Sequence, residues 1–567
     1  VTDRYQTLLP RPGSATAATG TYELTAGTGV VETPGTAGMS QVVRELLTSL
    51  RLPLPTVAQA GATGAAGAVT LHLEPTSGTA ESYRLRVHER GVDIVVATVD
   101  GLVNALHTLR QLLPDDTWRA APRAGTRWVV GCGEVTDAPA LTWRGAMLDV
   151  ARHFFPKRTL LRYVDLLAMH RYNRLHLHLT DDQGWRIESR RHPKVHRVGS
   201  HRPATQLGRD RKAGRDDGTP HGGYYTLDDL AEIHAYAQER GVTLVPEIDL
   251  PGHSSALLAA RPELGVGEHR VLTGWGISGG VLKPLPATVE FVAELLDELL
   301  EAVPTPYVHL GGDECVITDW ASDPEVSAYQ EELGLAAPID LHGHFLRALG
   351  SHLKRRGARM VVWDEAFVTG GLLDDSIVMA WRGDSVARRA AGAGYDVVRT
   401  PVYPTYLNYD QSDLPEEPMS QGGPITLPEV AAFEPVPADW SPAERSRVLG
   451  LQFQAWTEYI ASERHLDYLM FPRASVLADV AWNGRSSTAA GADGAARTGG
   501  TGPLEAHLDR LTAAGVEYRP ADGPHPWQGG GTGDRRRQSG STMAAEIELH
   551  ERISEHGDVG TASTRST

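Results

Sequence analysis

The spacing of hydrophobic residues changes character near residue 140. Before it, short alternating runs such as Val69-Thr70-Leu71-His72-Leu73 and Val92-Asp93-Ile94-Val95-Val96 read as half-buried strands. Residues 101–113 carry apolar positions at helical spacing and stop at Pro114, which predicts a helix. The stretch 114–140 is rich in Pro, Gly and Asp and fits a linker. An α/β accessory domain is therefore expected over 1–140. From Trp143 onward strands alternate with helices. Strand candidates are Ala146–Val150, Arg174–Leu179, Val242–Ile248, Tyr307–Leu310, Arg359–Trp363, Ile377–Trp381, Asp396–Arg399 and Leu449–Gln454. Amphipathic stretches lie between them at 158–170, 226–240, 288–302, 339–356 and 384–393. This α/β alternation predicts a (β/α)8 TIM barrel over 141–520. The alternative is a doubly wound open sheet, but no Gly-rich nucleotide loop follows the first strand. The Gly-, Arg-, Ser- and Thr-rich segment 521–567 is expected to be largely disordered, with one helical patch at 543–554.

Composition narrows the class of partner. A hydrophobic content of 41% and a charged content of 22% are those of a globular protein. A formal charge of −17 opposes nucleic acid or an anionic membrane as the main partner. No run reaches the roughly 18 apolar residues of a membrane span. Two cysteines, Cys132 and Cys315, leave room for one disulfide but not for a disulfide framework or a cysteine metal site. The opening Val1-Thr2-Asp3-Arg4-Tyr5 has neither a basic nor an apolar leader region. The expectation is a cytoplasmic protein, with a mature secreted form as the alternative, acting as a monomer or homodimer.

Candidate chemistry concentrates at the predicted strand ends, where a β/α barrel builds its sites. Tyr307-Val308-His309-Leu310-Gly311-Gly312-Asp313-Glu314 is an apolar strand, a two-glycine break and two adjacent acids. Adjacent carboxyls repel, so one tends to keep its proton while the other ionises. Alternatively, they cap a following helix. Other strand ends carry Asp149 and Arg152; His176, His178, Asp181 and Trp185; Glu247, Asp249 and His253; Trp363-Asp364-Glu365; Trp381; Tyr403 to Asp410; and Trp456-Thr457-Glu458. Acids beside aromatic planes suit a sugar, whose C–H faces pack on indole while its hydroxyls need charged partners. Twelve Trp against eight Phe favour that use, although each Trp could simply fill core. His176, His178 and His253 with Asp181 and Asp249 form the competing metal-hydrolase reading. His176 and His178 alternate with Leu175, Leu177 and Leu179, so both point to one face, which the barrel reading makes the packed interior. Neither a metal nor a cofactor is expected.

Six motifs in order then give a resemblance. Residues 144–153 (RGAMLDVARH), 176–185 (HLHLTDDQGW), 245–253 (VPEIDLPGH), 309–314 (HLGGDE), 363–365 (WDE) and 454–458 (QAWTE) resemble the family-20 glycoside hydrolases, the β-N-acetylhexosaminidases. The likeness spans about 143–520, and the amino-terminal module also looks like that family's accessory domain.

The resemblance implies exo-hydrolysis of terminal β-linked GlcNAc, or GalNAc, by retaining, substrate-assisted catalysis through an oxazolinium ion. It implies that Glu314 is the general acid and base, that Asp313 orients the 2-acetamido group, and that Tyr406 donates to its oxygen. On this reading Asp313 stays ionised and Glu314 is raised towards neutrality. Arg152 and Glu458 would bind sugar hydroxyls, and Trp363, Trp381 and Trp456 would wall the acetamide pocket. Asp181 and His253 would sit behind Glu314, supported by His178 and Asp249. Asn408 departs from the pattern, since the family often has Asp two residues after the acetamide-binding Tyr. Two alternatives share the fold: a lacto-N-biosidase-like enzyme and a non-catalytic sugar-binding barrel.

Overall fold

A computed structural model describes residues 4–53, 56–59, 67–75, 79–209, 214–485 and 502–529. The early alternating runs join one seven-stranded sheet. Its strands are β1 (Ser14–Leu24), β2 (Gly29–Glu32), β3 (Val57–Gln59), β4 (Ala68–Leu73), β5 (Tyr83–His88), β6 (Gly91–Val96) and β7 (Trp128–Asp137). They lie in the order β1-β7-β5-β6-β4-β2-β3, antiparallel from β1 to β6 and parallel beyond it. Helices α1 (Ser40–Ser49) and α2 (Val99–Leu112) bury Val43, Leu47, Leu102 and Leu109 against Leu85, Val92 and Ile94. Thr98 starts α2 by accepting a hydrogen bond from the Asp100 N–H, satisfying one of the helix's free donors.

The eight later strands close a parallel barrel. They are β8 (Trp143–Asp149), β9 (Arg174–His178), β10 (Thr243–Glu247), β11 (Tyr307–His309), β12 (Arg359–Trp363), β13 (Ile377–Ala380), β14 (Asp396–Arg399) and β15 (Val448–Ala455). Each overlaps its predicted run. Helices α3 (Lys157–Met169), α4 (Leu227–Gln238), α5 (Pro286–Ala302) and α6 (Asp340–Arg355) follow β8 to β11. Helix α7 (Asp384–Gly392) follows β13, and α8 (Arg473–Asn483) and α9 (Pro503–Ala513) follow β15. The two-residue side-chain period divides each strand between an apolar outer face and an interior. Leu148, Leu175, Leu177, Leu244, Val308, Val362 and Phe453 face the helices in one continuous core. Trp143, Val245, Val361, Ile377, Met379 and Val398 form a separate interior cluster. The barrel is thus filled, as the strand pattern requires.

Buried ion pairs and aromatic contacts join the sheet to the barrel. Arg171 Nη1 donates to Asp137 Oδ2 at 2.7 Å, and the Trp482 indole N–H donates to Asp137 Oδ1 at 3.0 Å. Arg144 pairs with Glu81, and the Arg144 and Arg171 guanidiniums lie 5.0 and 4.7 Å from the Trp482 ring centroid. Removing one partner would strand a buried charge, so the pairs specify how the two units meet.

Cys132 and Cys315 are both free and buried, so the possible disulfide does not form. Among the described residues no helix is long and apolar enough to cross a membrane. Most of the tail reading (530–567), including the patch at 543–554, lies outside the described residues. Residues ahead of it turn back onto the barrel, where the Gln528 amide donates to the Glu517 and Tyr518 carbonyls at 3.1 and 3.2 Å.

Candidate active site

The pair of acids after β11 owes its geometry to the two glycines before it. Gly311 and Gly312 adopt φ of +65° and +97°, a region open mainly to glycine. A Cβ on Gly311 would fall 1.6 Å from Asp249 Oδ1, so Asp249 can close on this turn only if residue 311 lacks a side chain. Asp249 Oδ1 in turn accepts the Gly312 N–H at 3.2 Å. Glu314 itself has φ +48°, which costs a residue with a side chain roughly 1–2 kcal/mol and persists only where surroundings enforce it. The twist separates two neighbouring side chains. Asp313 turns inward with its side chain 12% exposed, while that of Glu314 is 32% exposed. The next helical turn, Ile317–Ser322, has no side-chain cap, so the acids do not serve as one.

Behind Glu314 runs a line of alternating histidines and acids. His253, also left-handed at φ +49°, places Nε2 3.4 Å from Glu314 Oε2 and 3.8 Å from Asp313 Oδ2. Its Nδ1 lies 3.3 Å from Asp181 Oδ1 and 3.7 Å from Asp182 Oδ2. Asp181 Oδ2 accepts from His178 Nε2 at 2.8 Å and pairs with Arg152 Nη2 at 2.7 Å. Burial alone would neutralise Asp181, but Arg152 and His253 hold its carboxyl well below the usual range. The structure thus brings together Arg152, Asp181, His178, His253 and Glu314. Asp249, by contrast, supports the glycine turn.

Arg152 is set from three sides. Its N–H and that of Ala151 donate to Asp149 Oδ1 at 3.0 and 2.8 Å, and its Nε donates to Gln183 Oε1 at 3.2 Å. Its guanidinium carbon lies 4.9 Å from the Trp456 ring centroid. Asp149 Oδ2 accepts the Thr457 N–H at 3.0 Å, tying the β8 loop to the segment carrying Trp456 and Glu458.

The aromatics cluster but differ in burial. Trp363 is 1% exposed and donates its indole N–H to Glu247 Oε1 at 3.0 Å. Trp456 stands 6.1 Å from Trp363 and 6.3 Å from Tyr406, centroid to centroid. Trp381 is partly buried, and its indole N–H donates to Glu365 Oε2 at 2.9 Å. Among the buried acceptors without a hydrogen-bond partner in the described residues are Asp313 Oδ1, Asn408 Oδ1 and Glu458 Oε2. A buried acceptor left without a donor costs about 1–3 kcal/mol, so these atoms point to a ligand rich in N–H and O–H. Asp410, two positions beyond Asn408, accepts from Ser420 Oγ at 2.6 Å.

The protein's own electrostatics run against the ionised Asp313 that the sequence leads one to expect. Burial, then the negative charges of Asp249 and Glu314, push the Asp313 carboxyl well above its usual range, with His253 pulling the other way. Asp249 is pushed up to about 8, chiefly by burial, with Glu247 and Asp181 adding to it. The protein by itself therefore favours the protonated form of Asp313. The reason is that the positive charge expected to ionise Asp313 belongs to a reaction intermediate rather than to a side chain.

The metal reading also changes. Donor atoms of His176, Glu247 and His309, and of Asp181, Asp182 and His253, lie within 4.8 Å of one another. Yet His178 spends both ring nitrogens on Glu247 and Asp181, and His176 spends its two on Glu247 and Gln452. The ring nitrogens of these two histidines are therefore already engaged within the protein.

Two groups of residues went unassigned from sequence. Glu247 lies at the centre of the interior histidines, a position foreshadowed by its in-phase spacing with Val245 on β10. Asp364 and Glu365 anchor Trp381 and Arg382: Asp364 Oδ2 accepts the Trp381 and Arg382 N–H groups at 2.8 and 3.1 Å. No periodicity marks that function, because both acids follow the last strand residue.

Comparison with known proteins agrees with this architecture. Residues 141–485 match the model of the glycosyl hydrolase family 20 catalytic domain, and residues 5–138 match that family's domain 2. A beta-hexosaminidase of Vibrio furnissii is 32% identical over 480 residues, covering 83% of this chain and 76% of that protein. A beta-hexosaminidase of Porphyromonas gingivalis is 35% identical over 407 residues, 71% of this chain but only 51% of its own length. Among solved structures, a family-20 exo beta-N-acetylglucosaminidase from Vibrio harveyi in complex with N-acetylglucosamine aligns with TM-score 0.76 and 30% identity, covering 91% of this chain and 78% of that one. A family-20 beta-N-acetylhexosaminidase from Streptomyces coelicolor gives 0.75 and 28%, covering 92% and 99%. With its catalytic-domain match spanning the whole barrel, this chain belongs to glycosyl hydrolase family 20.

Proposed function

We propose that the protein is an exo-β-N-acetylhexosaminidase that removes terminal, non-reducing β-linked GlcNAc from chito-oligosaccharides or glycans with retention of configuration. The observation that carries this is the splayed Asp313-Glu314 pair, one acid buried and one facing outward. Two carboxyls set apart in this way suit different substrate atoms. Glu314 is placed to protonate the glycosidic oxygen as the C1–O bond breaks. The nucleophile is the substrate's own 2-acetamido oxygen, which bonds to C1 and yields an oxazolinium ion. Asp313 accepts the acetamide N–H. Substrate binding passes the Asp313 proton to solvent water, and as the ring forms its positive charge is offset by the resulting carboxylate. Tyr406, whose phenol burial keeps protonated, donates to the acetamide oxygen. The Glu314 carboxylate, next to His253, then takes a proton from water as the water attacks C1, restoring both the acid and the β configuration.

Arg152, Glu458 and Asn408 are assigned to the sugar hydroxyls, and the unpartnered oxygens of the last two support that assignment. Trp381 and Trp456 flank the acetamide. Trp363 acts from beneath, fixing Glu247.

A panel of 4-nitrophenyl β-glycosides of GlcNAc, GalNAc, glucose and lacto-N-biose tests the reading. Release from β-GlcNAc with near-silence on β-glucose is the expected pattern. Turnover of lacto-N-biose alone would select the disaccharide-releasing alternative, and binding without turnover the non-catalytic one.

A further inference from the structure

The interior of the barrel beneath the site is wired by hydrogen bonds, and the indoles of Trp143 and Trp363 fix the direction of those through Gln452 and His176. The Trp143 indole can only donate, and it lies 3.3 Å from Gln452 Oε1, so the Gln452 amide nitrogen is the atom facing His176 Nδ1 at 3.0 Å. His176 Nδ1 therefore accepts, and its Nε2–H donates to Glu247 Oε2 at 3.0 Å. Trp363 can also only donate, and it does so to Glu247 Oε1 at 3.0 Å. His178 Nδ1 bonds to Glu247 Oε2, and His309 Nδ1 lies 2.8 Å from Oε1. The strand register places Glu247 level with both His178 and His309, which is why these side chains converge.

Glu247 is fully buried with these four groups around it, and among the described residues no Lys or Arg pairs with it. Burial alone would raise its carboxyl, but His309, His178 and His176 hold it well below the usual range. His178 faces a carboxylate at each ring nitrogen, Glu247 at Nδ1 and Asp181 at Nε2. A neutral imidazole would turn a lone pair on one of them, so His178 must carry both protons. Its other charged neighbour is Arg152, which opposes that charge, and the edge of Trp456 packs 4.9 Å away. His253 repeats the pattern with Asp181 and Asp182 at one nitrogen and Glu314 and Asp313 at the other.

We propose that Glu247 is a positioning residue for Glu314: its carboxylate locks His178 as an imidazolium, which pins Asp181 in the orientation that aims His253 at Glu314. The inference rests on the hydrolytic function proposed above, since it concerns how the acid is held. Without the Glu247 charge, His178 becomes an ordinary histidine, titrating at about pH 5–8. Asp181 then loses a constant partner and His253 its fixed aim.

The test uses the full chain and Glu247→Gln, which keeps size and hydrogen bonding but removes charge. In ¹⁵N NMR of the wild-type histidine rings, both His178 nitrogens should remain protonated up to about pH 8. In Glu247→Gln, His178 should titrate, kcat on an aryl β-GlcNAc should fall about 10- to 100-fold, and KM should change less than about threefold. The variant's pH–rate profile should gain an inflection at the His178 titration, while Glu247→Asp should restore the fixed charge and part of kcat. A His178 that is neutral in the wild type overturns the proposal even if Glu247→Gln fails to fold. So does a Glu247→Gln enzyme with wild-type kcat and pH profile. A wild-type chain that cleaves no β-GlcNAc would instead refute the hydrolytic function, leaving the NMR result to judge the network.

Discussion

Replacing Glu314 with Gln should lower kcat on chitobiose by about 10²–10⁴-fold, the contribution expected of a general acid. The amide keeps the shape and the contact with His253 but has no proton to give. The loss should shrink as the leaving group improves, because a nitrophenolate departs with little help. A dinitrophenyl glycoside should therefore recover much of the rate of bond cleavage, leaving the water step to limit turnover. Adding azide, which needs no general base, should then accelerate the variant and yield a glycosyl azide of retained configuration. Equal losses on good and poor leaving groups, with no response to azide, would take Glu314 out of this function.

Asp313→Asn should produce two effects of opposite sign. Asn can still accept the acetamide N–H, but it offers no negative charge to the forming oxazolinium ring. A fall in kcat of about 10²–10³-fold is expected by analogy with losing one fixed group that stabilises transition-state charge. Stability should move the other way. In the folded chain burial holds the Asp313 proton well above the usual carboxylate range, whereas the unfolded chain releases it near pH 3.9, so about that pH marks where the cost begins. Stability is lost as pH rises from there towards the folded value, because the unfolded state is then the one favoured by ionisation. Asn removes the penalty. Its Tm should exceed the wild type's at about pH 8 and converge with it at about pH 4. A variant with lower Tm at the higher pH would show that Asp313 is not held protonated.

How much of this was legible in sequence depends on the range of the forces involved. The eight barrel strands follow from local apolar runs, since each must bury one face against helices and the other in the interior. Arg152, Asp181, His253, Asp313 and Glu314 stand in motifs at strand ends, and the fold brings them within bonding distance as ion pairs and hydrogen bonds. Glu247 stands in one of those motifs, but nothing local to it marks its function. Its significance comes from strand register, which sets it level with His178 and His309, residues far away in sequence. Protonation was the least legible property. The Asp313 carboxyl responds to its depth and to Asp249 across the glycine turn, neither of which sequence adjacency to Glu314 reports.

The central claim is that the nucleophile belongs to the substrate and that Asp313 serves it. The most direct measurement is kcat across aryl β-glycosides whose 2-acyl group is acetyl, fluoroacetyl, difluoroacetyl and trifluoroacetyl. Each fluorine withdraws electrons from the carbonyl oxygen while leaving the leaving group and the sugar unchanged. If that oxygen attacks C1, log kcat should fall steeply and steadily along the series. A flat series, with the trifluoroacetyl substrate turning over as fast as the acetyl one, would mean that a protein group or water attacks C1, and the account of Asp313 would fail with it.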